Sequence, residues 1–211
     1  FAVYSSFLQR GFDMLLHDVA LQGLHVILAV DRAGLVGSDG PTHHGCQDVG
    51  YLTQIPGMTV LCPACFSELK EMLRWAVEAE GPVAVRYPRG GEGRQYPAWA
   101  GEGASLLRSG TDVTLVAYGT LADEVLTAAE LLEEKGVSAE AVKLNRIAPL
   151  DVEPVAESVR RTGRLLVLED CNENGSIGQQ LASALVQAGA APRKMVLKNL
   201  KGAFAPQGSV A

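Results

Sequence analysis

Short apolar runs alternate with longer amphipathic stretches along this chain, and that alternation predicts an α/β fold. Residues 1–4 are apolar and too few for a helix, so they read as a strand. Residues 7–22 carry the helical period, and residues 25–30 form a run apolar enough to be buried on both faces of a sheet. Beyond a glycine-rich stretch at residues 31–45 the pattern gives a strand at 58–61, a helix at 65–79 and a strand at 82–86. Strands separated by helices pair in parallel.

Residues 90–104 hold Gly90, Gly91, Gly93, Pro97, Gly101 and Gly103 with little periodicity, and read as a linker. A second α/β unit follows, with strands at 113–118, 137–144, 164–168 and 195–197. Its helices fall at 121–135, 151–161 and 177–188. Thr120 and Asp123 predict a capping box for the first of these, and Gly136 its stop. The expected architecture is two three-layer units with parallel or mixed sheets, over residues 1–90 and 105–211 with a linker at 91–104.

Composition narrows the function. With 47% hydrophobic residues the chain can bury a core, and a net charge of -6 with only 18 Lys+Arg gives no basic stripe for a nucleic-acid backbone. No apolar stretch approaches the roughly 20 residues of a membrane span. Four scattered cysteines, Cys46, Cys62, Cys65 and Cys171, do not make a secreted disulfide framework. A reducing compartment, the cytoplasm or a plastid-like one, is expected. The chain opens at Phe1 inside a strand pattern, without Met, so a preceding portion is expected too.

Ligands of open parallel sheets bind beyond the carboxyl ends of the strands. Those ends lead to Arg10, Arg32, Arg86 and Arg89, a convergence that suits a small phosphate or carboxylate. The alternative is that these arginines are solvated or paired with Asp13, Asp18 and Asp31. The loop DRAGLVGSDGPTHHG (residues 31–45) is long for a compact unit, and such loops are usually functional. In it His43 can donate a proton near neutral pH, and Asp39 can orient it or hold a hydroxyl. Its glycine spacing is not that of a dinucleotide fingerprint. Cys62-Pro63-Ala64-Cys65 is the rival signal, since a thioredoxin-like dithiol also sits between a strand and a helix. Against it stands the larger α/β pattern on both sides. A closed zinc site would need four ligands, and His43, His44 and Cys46 are the other candidates, so no metal is expected in this chain. Gly175 and Gly178 at a helix start form a candidate anion nest.

Four segments in order carry a resemblance: YSSFLQRGFDMLLHDVALQ (residues 4–22), DRAGLVGSDGPTHHG (31–45), YLTQIPGMTVLCP (51–63) and VRYPRG (85–90). Together they resemble the pyrimidine-binding domain of 1-deoxy-D-xylulose 5-phosphate synthases. Transketolases share DGPTH at residues 39–43 but not YSSFLQR or RYPRG. Residues 113–200 resemble the transketolase C-terminal domain more diffusely, and APQG (205–208) is similar to a segment near the family's C-terminus. The resemblance implies a homodimeric, thiamine-diphosphate- and Mg2+-dependent enzyme that condenses pyruvate with glyceraldehyde 3-phosphate, releasing CO2, at the head of isoprenoid synthesis. It further implies that Phe7 lies against the aminopyrimidine ring with Tyr4 and Arg10 nearby, that Tyr4, Arg32 and Arg89 hold the acceptor phosphate, and that Asp39 and His43 meet the substrate. The family's activating glutamate and its diphosphate and metal site precede the matched region, so the chain alone is expected to be inactive. The competing readings are a transketolase, the β-subunit of a 2-oxo acid dehydrogenase, a non-catalytic assembly domain, and the redox protein above.

Overall fold

The computed structural model describes residues 1–209 and turns the apolar runs into two five-stranded sheets within an α/β fold. In the first, β1 (Ala2–Tyr4), β2 (Ile27–Asp31), β4 (Val83–Arg86) and β3 (Thr59–Leu61) lie side by side in that order, all parallel. Its last strand, β8 (Arg146–Ala148), comes from the second half of the chain and pairs antiparallel with β3. The second sheet runs β10 (Lys194–Lys198), β9 (Arg164–Leu168), β6 (Val113–Tyr118) and β7 (Ala139–Leu144) in parallel, with β5 (Ala104–Arg108) antiparallel at the edge.

Each sheet is a middle layer because its strands are apolar on both faces. Leu115 and Ala117 of β6 pack on α5 (Leu121–Glu133) with Val125 and Ala129. Their neighbours Val116 and Tyr118 point the other way, into a cluster with Val155 and Val159 of α6 (Glu153–Thr162) and Leu181 and Leu185 of α7 (Ile177–Gln187). In the first sheet Leu61, Val83 and Val85 face Met72 and Ala76 of α4 (Phe66–Glu78). Its opposite face, with Leu28, Val30 and Val60, joins the same cluster as α6 and α7, so one core runs through both sheets.

Three expectations change. The first helix is not uniform: α1 (Ser5–Leu8) and α2 (Phe12–Met14) flank a 3-10 turn at Gln9–Gly11, and a π-helical turn follows at Leu15–Ala20. There, bonds such as Leu21 N to Leu16 O at 2.9 Å skip five residues, a geometry frequent near functional sites. The capping box does not form. Thr120 is already helical and its side chain makes no cap bond, while Asp123 accepts instead from Arg94 N at 2.9 Å and from the Tyr96 hydroxyl. That exchange ties the irregular stretch before β5 onto α5, and Trp99 buries itself against Trp75 of α4, ring centroids 5.8 Å apart. Finally α3 (Asp48–Leu52), β5 and β8 had no signal in the pattern, being short or half-exposed.

Candidate active site

The carboxyl edge of the first sheet carries the loop between β2 and α3. Gly34 and Gly45 close it at the base by exchanging backbone bonds, N to O at 2.9 and 2.7 Å. Gly34 has φ +79 and lies so close to the Asp170 carboxylate that any side chain there would collide with it. The loop is thereby seated on the second half of the chain, where Asn172 N also donates to Cys46 O at 3.0 Å.

Within this frame six of the expected site residues form one run of contacts. Arg89 Nη1 lies 2.7 Å from Asp39 Oδ1, and the other oxygen of Asp39 pairs with Arg32. Arg32, in the left-handed region at φ 56, spreads its guanidinium 4.2 Å above the Tyr4 ring centroid and donates to the Tyr4 hydroxyl at 3.2 Å. Tyr4 lies against Phe7 at 5.6 Å, and Phe7 meets the edge of the His43 ring at 5.4 Å. His43 Nδ1 is 2.9 Å from Thr42 Oγ1. Arg10 stands apart from the Asp39 fork: it is exposed on the 3-10 turn and lines an apolar pocket of about 300 Å3 with Phe1, Phe7 and Met14.

Arg86, one of the four converging arginines, does not reach this edge. It is buried, with Nε 3.0 Å from Asp48 Oδ2 and Nη2 3.5 Å from Asp170 Oδ1, so it links α3 to the segment after β9. Burial would lower its pKa, but Asp48 and Asp170 hold it well above the ordinary value. Neither partner could be read from the sequence, because they lie 38 and 84 residues away. Among the described residues no arginine side chain pairs with Asp31, the alternative partner; Asp31 accepts from the Arg32 backbone N–H at 2.7 Å.

The anion nest at α7 is real geometry but is already filled. The Glu169 carboxylate accepts from Ile177 N at 2.8 Å and Gly178 N at 2.9 Å, and a side chain at position 178 would press on it. All four cysteines are free and buried, and burial pushes the thiol of Cys62, the first cysteine of the Cys62–Cys65 pair, up to about 12, away from a thiolate near neutral pH. Among the described residues no cluster of His, Cys, Asp and Glu is arranged to hold a metal ion, and no helix is long and apolar enough to cross a membrane.

Comparison with known proteins gives this edge its family. The family model "Transketolase, pyrimidine binding domain" matches residues 1–92, and "Transketolase, C-terminal domain" matches residues 102–210. The 1-deoxy-D-xylulose-5-phosphate synthase 1 of Geobacter sulfurreducens is 40% identical over 98% of this chain and 33% of its own length. The synthase of Gloeobacter violaceus is 45% identical over 90% of this chain and 31% of its own. The chain thus spans about a third of the length of these curated relatives. A solved structure described as "Split gene transketolase, inactive beta4 tetramer" superposes with a TM-score of 0.87 at 28% identity, covering 97% of this chain and 66% of that one. This chain belongs to the transketolase family and carries its pyrimidine-binding and C-terminal domains.

Proposed function

We propose that this chain supplies the acceptor-phosphate side of a 1-deoxy-D-xylulose 5-phosphate synthase, which joins pyruvate, with loss of CO2, to glyceraldehyde 3-phosphate. The observation that carries the reading is the run Arg89–Asp39–Arg32–Tyr4–Phe7–His43, which sets two guanidinium groups, an aromatic face and an imidazole along one edge. The names and identities of the relatives support it.

The residues present fit the pyrimidine half of thiamine diphosphate. Phe7 is 43% exposed and borders the apolar pocket of about 300 Å3, so a flat heteroaromatic ring has a surface to lie on. Arg10, at the same pocket, can meet its polar rim. When bound, the cofactor supplies the electron sink that makes pyruvate's two-carbon unit a nucleophile. We assign its diphosphate and Mg2+ to a portion of the enzyme outside this chain, together with a second copy in a homodimer. The chain by itself is then inactive.

Arg32 and Arg89 bind the acceptor's phosphate through charge-assisted bonds, and Tyr4 keeps the Arg32 plane in place from below. Asp39 holds the two arginines until the phosphate takes its place, and then turns to a substrate hydroxyl. His43 has Nδ1 engaged by Thr42 Oγ1, so Nε2 is left to move the proton. It donates to the aldehyde oxygen of the acceptor as the new C–C bond forms, which converts that oxygen to a hydroxyl. In the complete enzyme His43→Ala should lower kcat by about 10²- to 10⁴-fold. An unchanged kcat would remove His43 from the reaction and with it this reading.

A further inference from the structure

The loop bearing Asp39 and His43 is gripped from outside by the end of the described chain. Gln207 Nε2 donates to Ser38 O at 2.8 Å, and Gly208 N donates to Gly37 O at 3.4 Å. The Gln207 side chain also faces Gly40. One tail residue thus holds Ser38 and faces Gly40, the two chain neighbours of Asp39. Apolar packing contributes little here: Phe204 is 87% exposed, and a cavity of about 440 Å3 lies between the tail and the start of the first helix, lined by Ser6, Gln9 and Phe204 among others. Polar bonds hold the tail.

His44 is central to them, and its proton can be placed. The backbone N–H of Val36 can only donate, and it points at His44 Nδ1 at 3.1 Å, so Nδ1 carries no hydrogen. The ring proton then sits on Nε2, 3.3 Å from Pro206 O, which can only accept. One imidazole in one tautomer thus joins the near side of the loop to the tail across 162 residues of sequence. Its neighbour His43 points instead to Phe7 and Thr42.

We propose that His44 is a positioning residue for the acceptor site: by bridging Val36 and Pro206 it clamps residues 205–208 over the Gly37–Asp39 turn, and so fixes where the Asp39 carboxylate stands relative to Arg32 and Arg89. This rests on the acceptor-phosphate reading above. A glycine-rich loop with few internal bonds gains freedom once such an anchor is lost, and the loss falls on the acceptor rather than on pyruvate.

Three variants of the complete enzyme test this, His44→Ala, His44→Gln and Gln207→Ala, read by hydrogen–deuterium exchange of residues 34–45 and by steady-state kinetics. Losing one or two net hydrogen bonds should speed loop exchange by about tenfold in His44→Ala and in Gln207→Ala, and raise the KM for glyceraldehyde 3-phosphate by about 5- to 20-fold with kcat and the pyruvate KM within about twofold. Glutamine offers an acceptor and a donor at the spacing of the two ring nitrogens, so His44→Gln should restore both readouts. Wild-type loop exchange in both alanine variants would overturn the clamp, and so would failure of glutamine to rescue. Faster exchange with an unchanged acceptor KM overturns the positioning role if Arg89→Ala does raise that KM. If Arg89→Ala leaves it unchanged as well, the phosphate reading has failed and the clamp, seen by exchange, stands.

Discussion

The carboxylate of Asp39 stands 2.7 Å from the Arg89 guanidinium and touches Arg32 with its other oxygen, so the two cations of the site edge share one internal anion. Each group is partly exposed, which keeps the pairing weak enough to exchange for a stronger one.

Inorganic phosphate reports on that exchange. Replacing the carboxylate by an amide in Asp39→Asn should tighten phosphate binding by about two- to fivefold, the range of an exposed ion pair. Titration calorimetry measures it, and weaker binding would mean that Asp39 supports the anion site rather than occupying it.

The pair Arg86–Asp48 holds α3 against β4 within the first half of the chain rather than a ligand, while Asp170 ties the same guanidinium to the second half. Both side chains are almost wholly buried, so Asp48→Ala should cost about 3–5 kcal/mol in urea unfolding by leaving the buried Arg86 cation only its longer, 3.5 Å contact to Asp170. The double change Asp48→Leu with Arg86→Met removes both charges and should recover most of that loss. A single-variant loss below about 1 kcal/mol, the scale of a surface pair, would contradict the assignment.

What the sequence made legible follows the range of the forces involved. β2, β4 and β6 were readable because burial on both faces leaves an uninterrupted apolar run, and the loop of residues 31–45 because its glycines and histidines stand together. Tyr4, Arg32 and Arg89 were readable as strand-end residues and Asp39 as a loop carboxylate, though not the bridge that Asp39 makes between the two arginines. Partners distant in sequence were not: Asp123 leaves its helix cap for Arg94, 29 residues away, and His44 meets Pro206 on a tail that the pattern left without a role. β8 escaped because three residues before a proline carry no periodicity.

Glu169 gives a pH signature. Burial raises its carboxyl above the ordinary range, against the opposing bonds from Gly178 and Ile177. Between the ordinary value and the raised one the folded chain holds more protons than the unfolded chain, so stability falls as pH rises through that window and stays lower above it. Glu169→Gln should flatten this fall, measured as urea midpoints from about pH 4 to pH 8. An unaltered slope would place the titration elsewhere.

The central claim is that this edge recognises a phosphate, and Arg89→Ala in the complete enzyme tests it most directly. A charge-assisted bond is worth about 1.5–3 kcal/mol, so kcat/KM for glyceraldehyde 3-phosphate should fall by roughly 10- to 150-fold. Arg89→Lys should recover only part, since an ammonium keeps the charge without the two-pronged geometry. Against unphosphorylated glyceraldehyde, the unaltered enzyme and Arg89→Ala should be about equally poor. A loss of the same factor on both acceptors would show that Arg89 serves the fold or the cofactor, and would contradict the account.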